Sequence, residues 1–273
     1  MEFTAQQLAL LSVLLLATGA VAGLLAGLLG VGGGIVIVPV LYHVFAQHGI
    51  DPAVRMHVAV GTSLASIVVT AFRSVRSHHA HGAVDVALLR RWVVGVAAGV
   101  LLGTWIAGEL SGSLLTAVFA SVALGVALYM AFGSEQWRLR AEPPVGAARF
   151  AVGGGIGFVS VLMGLGGGTL GVPTLTLLGV PIHRAVGTAA GLGLVIAIPG
   201  VIGFLLSGQG VPGRPPLSVG YVNAVGFASI VPATWLAAPL GARLAHRISR
   251  VALRRAFAAF LGATSLRMLV ELA

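Results

Sequence analysis

The stretch Gly30-Val-Gly-Gly-Gly-Ile-Val-Ile-Val-Pro-Val-Leu41 decides the fold, because it returns as Gly164-Leu-Gly-Gly-Gly-Thr-Leu-Gly-Val-Pro-Thr-Leu175. Two further matches follow in the same order. They are His57-Val-Ala-Val-Gly-Thr62 with His183-Arg-Ala-Val-Gly-Thr188, and Thr104-Trp-Ile-Ala107 with Thr234-Trp-Leu-Ala237. Three collinear matches within apolar sequence indicate that the chain is an internal duplication.

The composition predicts that both copies lie in a membrane. Of the 273 residues, 58% are hydrophobic and 8% are charged, whereas an ordinary soluble domain has about 25% charged residues. So few charged side chains cannot cover a soluble surface, which excludes a soluble globular enzyme, and the apolar content excludes a disordered chain. Apolar runs of about 20 residues recur along the sequence, and each is long enough to cross a bilayer. We therefore predict an all-α polytopic membrane protein.

The duplication sets the expected organisation of the chain. A polar segment containing Pro143 and Pro144 separates the halves. We predict a first transmembrane repeat at residues 1–133, a cytoplasmic linker at 134–148 and a second repeat at 149–273. In each repeat the glycine-rich stretch breaks the first apolar run, which predicts a glycine-broken helical hairpin followed by three transmembrane helices. Duplicated halves of this kind are typical of secondary transporters, whose substrate site lies where the repeats meet.

The distribution of arginine predicts how the halves are oriented. All 16 basic residues are Arg, and basic residues are enriched in cytoplasmic loops. If each broken stretch crosses the membrane once, the halves are parallel, and four or five Arg lie outside in one short loop. If each stretch is a hairpin, the halves are inverted and both termini lie outside. Thirteen Arg then lie in four cytoplasmic segments, which are 73–91, 133–149, 180–184 and 241–255.

We favour the inverted arrangement, because it leaves only Arg55, Arg214 and Arg267 outside. The net charge of +9 is then explained by membrane topology, which removes the reason to expect nucleic acid as a partner. Hairpins that turn back near the midplane give eight crossings and fully spanning hairpins give ten, and the sequence leaves both open.

The two glycine-rich turns are the candidate substrate site. A short apolar helix follows each turn, and a helix N-terminus offers unpaired N–H groups and a partial positive charge. Two opposed turns would form an anion site from backbone amides. The candidate residues are Gly30, Gly32, Gly33, Gly34, Gly164, Gly166, Gly167 and Gly168. The alternative is that these glycines only allow close packing of helices.

Hydroxyl side chains add four candidates to the site. Thr62 and Ser63 follow a glycine in the first half, Thr188 matches Thr62 in the second half, and Thr169 follows the second glycine triplet. These hydroxyls are expected to hydrogen-bond an oxyanion. The alternative is that they bond carbonyl groups of their own helices.

Other polar residues predict neither a metal site nor a catalytic site. His78, His79 and His81 lie in a basic segment of a chain that has no cysteine, and a solvated loop explains them. Trp105 and Trp235 are interpreted as interfacial anchors. No pair of carboxylates lies within an apolar run, so we expect no cofactor and no enzymatic activity.

The doubled G-x-G-G-G-x4-P-x-L element, followed in each half by A-V-G-T, resembles the TauE/SafE sulfite-exporter family of membrane transporters. The resemblance covers nearly the whole chain. It implies a multi-pass protein of the bacterial inner membrane that moves small sulfur-containing or organic anions, such as sulfite or sulfoacetate, commonly as an exporter. By resemblance the site role falls on both glycine triplets and on Thr62 and Thr188. Ala189 stands where the first half has Ser63, so the site need not be symmetric.

The expected function is secondary transport by alternating access around the paired glycine turns. An anion channel built from re-entrant half-helices is the alternative. The expected partners are a small anionic substrate and the lipid bilayer, and the sequence leaves a homodimer open.

Overall fold

A computed structural model describes residues 5–29, 33–132, 143–244 and 250–272 of the chain. These residues form ten α-helices, five on each side of the segment 133–142. The helices are α1 (Ala5–Leu29), α2 (Gly34–Gln47), α3 (Pro52–Ala80), α4 (Val86–Glu109), α5 (Gly112–Phe132), α6 (Gly146–Leu162), α7 (Gly167–Leu177), α8 (Ile182–Ser207), α9 (Ala224–Leu244) and α10 (Arg250–Val270). A short antiparallel hairpin of β1 (Ser218–Val219) and β2 (Val222–Asn223) precedes α9. The all-helical prediction is confirmed.

The lengths of the helices follow the apolar pattern of the sequence. Within the described residues, five helices are long and apolar enough to cross a membrane, namely α3, α4, α5, α8 and the 224–241 part of α9. The helices that follow the glycine-rich stretches are short, because α2 has 14 residues and α7 has 11. At 1.5 Å per residue they are about 21 and 17 Å long, less than a bilayer core. Each half therefore has two helices around a glycine break and then three more.

One predicted loop is wrong. The segment 73–91 is mostly helical, because α3 continues to Ala80 and α4 begins at Val86. Asp85 ends the short connection by capping α4, where its Oδ1 accepts a hydrogen bond of 2.9 Å from the backbone N–H of Leu88. The charged residues in this stretch ended the apolar run in sequence, but a helix can carry long basic side chains beyond its apolar part.

The first helix of each half packs against the fourth helix of the other half. In one pair, a Cβ placed on Gly19 would lie 2.7 Å from the carbonyl oxygen of Ile230, and one on Gly23 would lie 2.7 Å from that of Thr234. Residue numbers rise together along the contact, so α1 and α9 run parallel. Such close backbone approach requires small residues, as is common between membrane helices.

The corresponding pair, α6 with α4, packs in the same way. A Cβ on Gly95 would lie 2.8 Å from the carbonyl oxygen of Phe150, and one on Gly99 would overlap the backbone of Gly154. These helices also run parallel. The two halves are therefore interleaved, because the first helix of each half packs on the fourth helix of the other.

The third helices of the two halves, α3 and α8, cross at the centre and run antiparallel. A Cβ on Gly193 would lie 3.3 Å from Ala71 Cβ, and one on Gly200 would lie 3.1 Å from Leu64 Cδ1. Each third helix runs parallel to the other half's fourth helix. Thus Thr62 contacts Asn223 and Arg73 contacts Trp235 as α3 and α9 proceed together.

Candidate functional site

Both glycine-rich turns end as the N-termini of short helices. Gly33 is the N-cap of α2 and Gly166 is the N-cap of α7, and neither cap has a side-chain hydrogen bond. The first N–H groups of a helix have no partner within the helix. Each turn therefore presents free N–H donors and a partial positive charge at the N-terminal end of its helix. Gly30 and Gly32 lie outside the described residues.

The two turns meet, although more than 100 residues separate them in sequence. A Cβ on Gly34 would lie only 2.7 Å from the carbonyl oxygen of Gly164. Ser63 from α3 donates a hydrogen bond of 2.7 Å to that same carbonyl oxygen. Gly164 has a φ of +63°, a conformation that glycine adopts at little cost. The described parts of the two turns and Ser63 are therefore brought together at one place.

A cavity of about 580 Å³ reaches these turns. Its wall contains glycines of both turns together with residues of α3, α8 and α9. The lining residues are Gly33, Ile67, Thr70, Ala71, Arg73, Ser74, Ser77, His78, Gly166, Gly167, Gly168, Val186, Ala190, Gly193, Thr234, Trp235, Ala238 and Pro239. A volume of this size lies within the range of about 300–1,000 Å³ that is typical of small-molecule sites.

The cavity is electropositive. Its lining, taken over the described residues, includes Arg73 and His78 and has no Asp or Glu. The Arg73 guanidinium lies 4.3 Å from the centre of the Trp235 ring and donates a hydrogen bond of 3.3 Å to the Trp235 carbonyl oxygen. Arginine has five N–H donors, so this contact orients the guanidinium while leaving donors for another group. Together with the two helix N-termini, the cavity suits an anion.

Sequence reasoning missed Arg73 as a site residue and assigned Trp235 to the membrane interface. Arg73 was placed in a loop, whereas it lies on α3 and reaches the cavity. Arg73 follows Thr70, which also lines the cavity, by three residues, a spacing that would have placed both on one face had the predicted helix been extended past the first charge. His78 also lines the cavity. No group of three His, Cys, Asp or Glu in the described part of the chain has the arrangement of a metal site.

The predicted hydroxyl residues lie outside the cavity lining, and Thr62 and Thr188 make matching contacts instead. Thr62 Oγ1 accepts a hydrogen bond of 2.9 Å from the N–H of Asn223, and Thr188 Oγ1 accepts one of 3.1 Å from the N–H of Asp85. Asn223 and Asp85 are the residues that cap α9 and α4, because their Oδ1 atoms accept from Gly226 N and Leu88 N. Each threonine therefore joins the third helix of one half to the fourth helix of the other.

The glycine before each threonine explains the rest of the repeated A-V-G-T motif. A Cβ on Gly61 would overlap the carbonyl oxygen of Tyr221, and one on Gly187 would overlap that of Ala83. In each half the glycine lets the backbone of the neighbouring segment approach closely. The threonine then accepts a hydrogen bond from that segment's backbone two residues further along, at Asn223 or Asp85. Thr169 is buried at the start of α7. Binding of substrate by Thr62, Ser63, Thr169 and Thr188 stays a prediction.

The end of α3 remote from Arg73 is covered by Tyr221. Its ring stacks on His57 with centroids 4.8 Å apart, and Nε2 of His57 lies 3.0 Å from the Ala107 carbonyl oxygen. Burial raises the pKa of the Tyr221 phenol above its ordinary value, opposed by the nearby Arg214, so the phenol stays neutral. His57 is therefore packed away from the cavity, while its repeat equivalent His183 is exposed.

Comparisons with known proteins indicate a family of membrane transporters. The model of a family described as "Sulfite exporter TauE/SafE" matches residues 15–268. A probable membrane transporter protein of Haemophilus influenzae is 30% identical over 94% of this chain and 98% of its own length. Relatives described in the same words come from Methanocaldococcus jannaschii, 27% identical over 96% of each chain, and Bacillus subtilis, 26% identical over 86% of this chain and 89% of the relative. No solved structure matches this chain significantly.

Proposed function

The chain belongs to the sulfite exporter TauE/SafE family of membrane transporters, and from that membership we propose that it exports a small sulfur-containing or organic anion by alternating access. The observation that carries the proposal is the cavity that joins Arg73 to the glycine turns of both halves. The charge of Arg73 and the two helix N-termini complement an oxyanion, as in other helix-terminus anion sites. Sulfite and sulfoacetate are the first substrates to test.

Repeats of inverted orientation, with boundaries at 1–133 and 149–273, are part of this proposal. The antiparallel crossing of α3 with its counterpart α8 supports inversion. Both α1 and α3 run parallel to α9 and therefore to each other. This supports a hairpin in which α2 returns the chain to the side of the membrane where α1 began. The arginine-rich ends then face the cytoplasm of a bacterial inner membrane, and the cavity at Arg73 opens inward.

A topology test separates this arrangement from parallel halves. Reporter domains fused at Ser134 and at Arg214 are expected on opposite sides, with the Ser134 reporter in the cytoplasm. Each hairpin returns to its own side, so each half has an odd number of crossings. An odd number of crossings therefore also separates Ser134 from Arg214. Finding both reporters on one side, by alkaline phosphatase and fluorescent-protein activity, would contradict inversion.

Contacts between the two turns support alternating access. Gly34 and Gly164 touch next to the cavity, and Ser63 bonds Gly164 there. Because the described parts of the turns pack against each other, they favour a transporter over a channel. Because the halves are interleaved and tied by Thr62 and Thr188, the moving bodies are mixed bundles, α3 with α9 and α8 with α4, rather than the two sequence halves.

Exchange in proteoliposomes tests the proposed function. Vesicles preloaded with unlabelled anion are expected to accumulate labelled anion transiently and saturably for at least one of sulfite, thiosulfate, sulfate, sulfoacetate and a simple carboxylate. A carrier gives this counterflow because it returns loaded, whereas a channel gives unitary currents in planar bilayers. Protein-free vesicles and vesicles without preloaded anion are the controls. Absence of counterflow for every anion tested would overturn the proposal.

A further inference from the structure

The end of α2 remote from Gly33 carries a buried histidine that the anion site does not use. The His43 side chain is 14% exposed, and its Nδ1 lies 3.7 Å from Oε1 of Glu271. Neither ring nitrogen has a hydrogen-bond partner among the described residues, although both atoms are buried. Buried polar atoms without partners are rare and call for an explanation.

Burial of the His43 ring favours its neutral form in this conformation, because a charge without a hydrogen-bond partner is costly to bury. Three charged side chains also lie nearby. From α10 and the residue after it come Arg267 and Glu271, and from α3 comes Arg55. Glu271 is already engaged, because Arg267 Nε donates to its Oε1 at 3.1 Å. The carboxylate beside the ring is therefore shared with Arg267, and Arg55 adds a second cation to the surroundings.

The remaining neighbours of His43 do not reverse this balance. The described residues of α1, which also packs on α2, include no charged residue. On α2 itself, Tyr42 meets the His43 ring edge to face at 5.4 Å, and His48 follows at the C-cap. Placing a further positive charge on the buried ring is costly in this environment.

A second cavity of about 380 Å³ adjoins this region on the side opposite the anion cavity. It is lined by Tyr42, Arg55 and Glu271, with Ser113 and Thr116 of α5. Arg55 and Arg73 lie on the same helix 18 residues apart, which corresponds to about 27 Å. The second cavity therefore belongs to the outer side in the proposed topology.

One helix links the two cavities. Gly33 caps α2 where it meets the anion cavity, and His43 lies nine residues after the first residue of α2, about 14 Å along the axis. A movement of α2 that changes the anion cavity also changes the surroundings of His43. The two sites are therefore coupled mechanically through a short helix.

We propose that His43 is a proton-binding site whose protonation from the outer side shifts the protein away from the inward-open conformation. The proposal rests on the proposed function only for the membrane topology, which defines the inner and outer sides. Histidine is the side chain that changes charge near neutral pH, and a conformation that holds it neutral is disfavoured as pH falls. Acid outside then opposes the state whose cavity opens to the cytoplasm.

A single cysteine provides the test, because the natural chain has none. A Ser74→Cys substitution places a thiol in the anion cavity wall. In inside-out vesicles, a membrane-impermeant maleimide is added to a bath held at about pH 7, while the lumen is buffered at about pH 5.5 or 8 around the ordinary histidine pKa. Acidifying the lumen is expected to slow labelling several-fold, with about tenfold corresponding to one pKa unit between conformations.

Variants decide whether His43 is responsible. With His43→Gln the labelling rate is expected to be the same at both lumenal pH values, whereas His48→Gln, at the end of the same helix, keeps the response. Glu271→Gln removes the neighbouring negative charge and is expected to move the midpoint to more acid pH. All variants are first checked for monodisperse gel filtration. A wild-type background without a pH response, a response that survives His43→Gln, or an unmoved midpoint in Glu271→Gln would overturn the proposal.

This readout separates the proton site from the proposed function. Labelling requires no substrate, so a His43-dependent pH response can be observed even if counterflow fails for every anion. Conversely, counterflow without any pH response would leave the transporter proposal standing and refute the role of His43.

Discussion

A Gly167→Ala variant is expected to lose a substantial part of its thermal stability and all of its anion exchange. Gly167 begins α7, and a Cβ there would overlap the carbonyl oxygen of Ala189 and lie 2.5 Å from the backbone nitrogen of Gly193. Both contacts are with the backbone of α8, which cannot rotate away as a side chain can. The two helices must separate, and overpacking of this kind costs about 1–3 kcal/mol or more out of a total stability of about 5–15 kcal/mol.

The matched control is Gly166→Ala, one residue earlier. A Cβ on Gly166 would lie 3.2 Å from Cγ2 of Ile67, which is a movable side-chain atom. The backbone φ of Gly166 is −81°, a value that alanine adopts readily. We expect this variant to fold nearly as well as the natural protein, measured as the temperature at which half of the monodisperse gel-filtration peak is lost. Equal losses in both variants would contradict the assignment of backbone contact to Gly167.

The glycine elements show how much of the fold the sequence could predict. The repeated triplets placed both helix breaks correctly, since α2 begins at Gly34 and α7 at Gly167. The sequence left site lining and close packing as alternatives, and the positions divide between them. Gly33 and Gly166 line the cavity and have only side chains and one distant carbonyl near an added Cβ. Gly34 packs against backbone outside the lining, and Gly167 both lines the cavity and packs against backbone. Such neighbours come from other helices, so no local pattern could distinguish these glycines.

The contacts between the halves lie beyond sequence reasoning for the same reason. Thr62 and Asn223 are 161 residues apart, and Thr188 and Asp85 are 103 apart. Their hydroxyls had two local interpretations, an oxyanion ligand or a bond within their own helix. The observed partner is a backbone N–H at the start of a helix from the other half. To predict these partners from the repeat, Asn223 and Asp85 would have had to be recognised as equivalent capping residues of the two halves.

Arg73 illustrates a different limit, which concerns helix ends. Hydropathy falls at the first charged residue, so the predicted apolar run stopped at Phe72, but α3 continues through eight more residues. Side chains on this extension combine an apolar stem along the helix with a charged end in the cavity mouth. The candidate site was therefore predicted for its backbone part and missed for its principal charge.

An Arg73→Gln variant is expected to weaken anion binding about 10- to 150-fold. A hydrogen bond to a charged group contributes about 1.5–3 kcal/mol, and each 1.4 kcal/mol is about tenfold in affinity. Because Arg73 lies at the mouth and makes a single hydrogen bond, of 3.3 Å, to the residues that the structure describes, folding should be retained. The measurement is the substrate concentration at half-maximal counterflow, which should rise more than the maximal rate falls. Arg73→Lys is expected to fall between, since it keeps the charge but loses the planar donor pair.

The matched control for charge is Arg76→Gln, on the same helix and outside the cavity lining. Both substitutions remove one positive charge from the same end of α3, so a general effect of surface potential would weaken binding equally in both. A direct contact with the anion weakens it only in Arg73→Gln, and raising the ionic strength reduces the general effect more than the direct one, because exposed charges are screened over about 10 Å at 0.1 M salt. Half-saturation that is unchanged in Arg73→Gln, or raised equally in Arg76→Gln, would remove Arg73 from the site and leave the two helix N-termini as its source of positive charge.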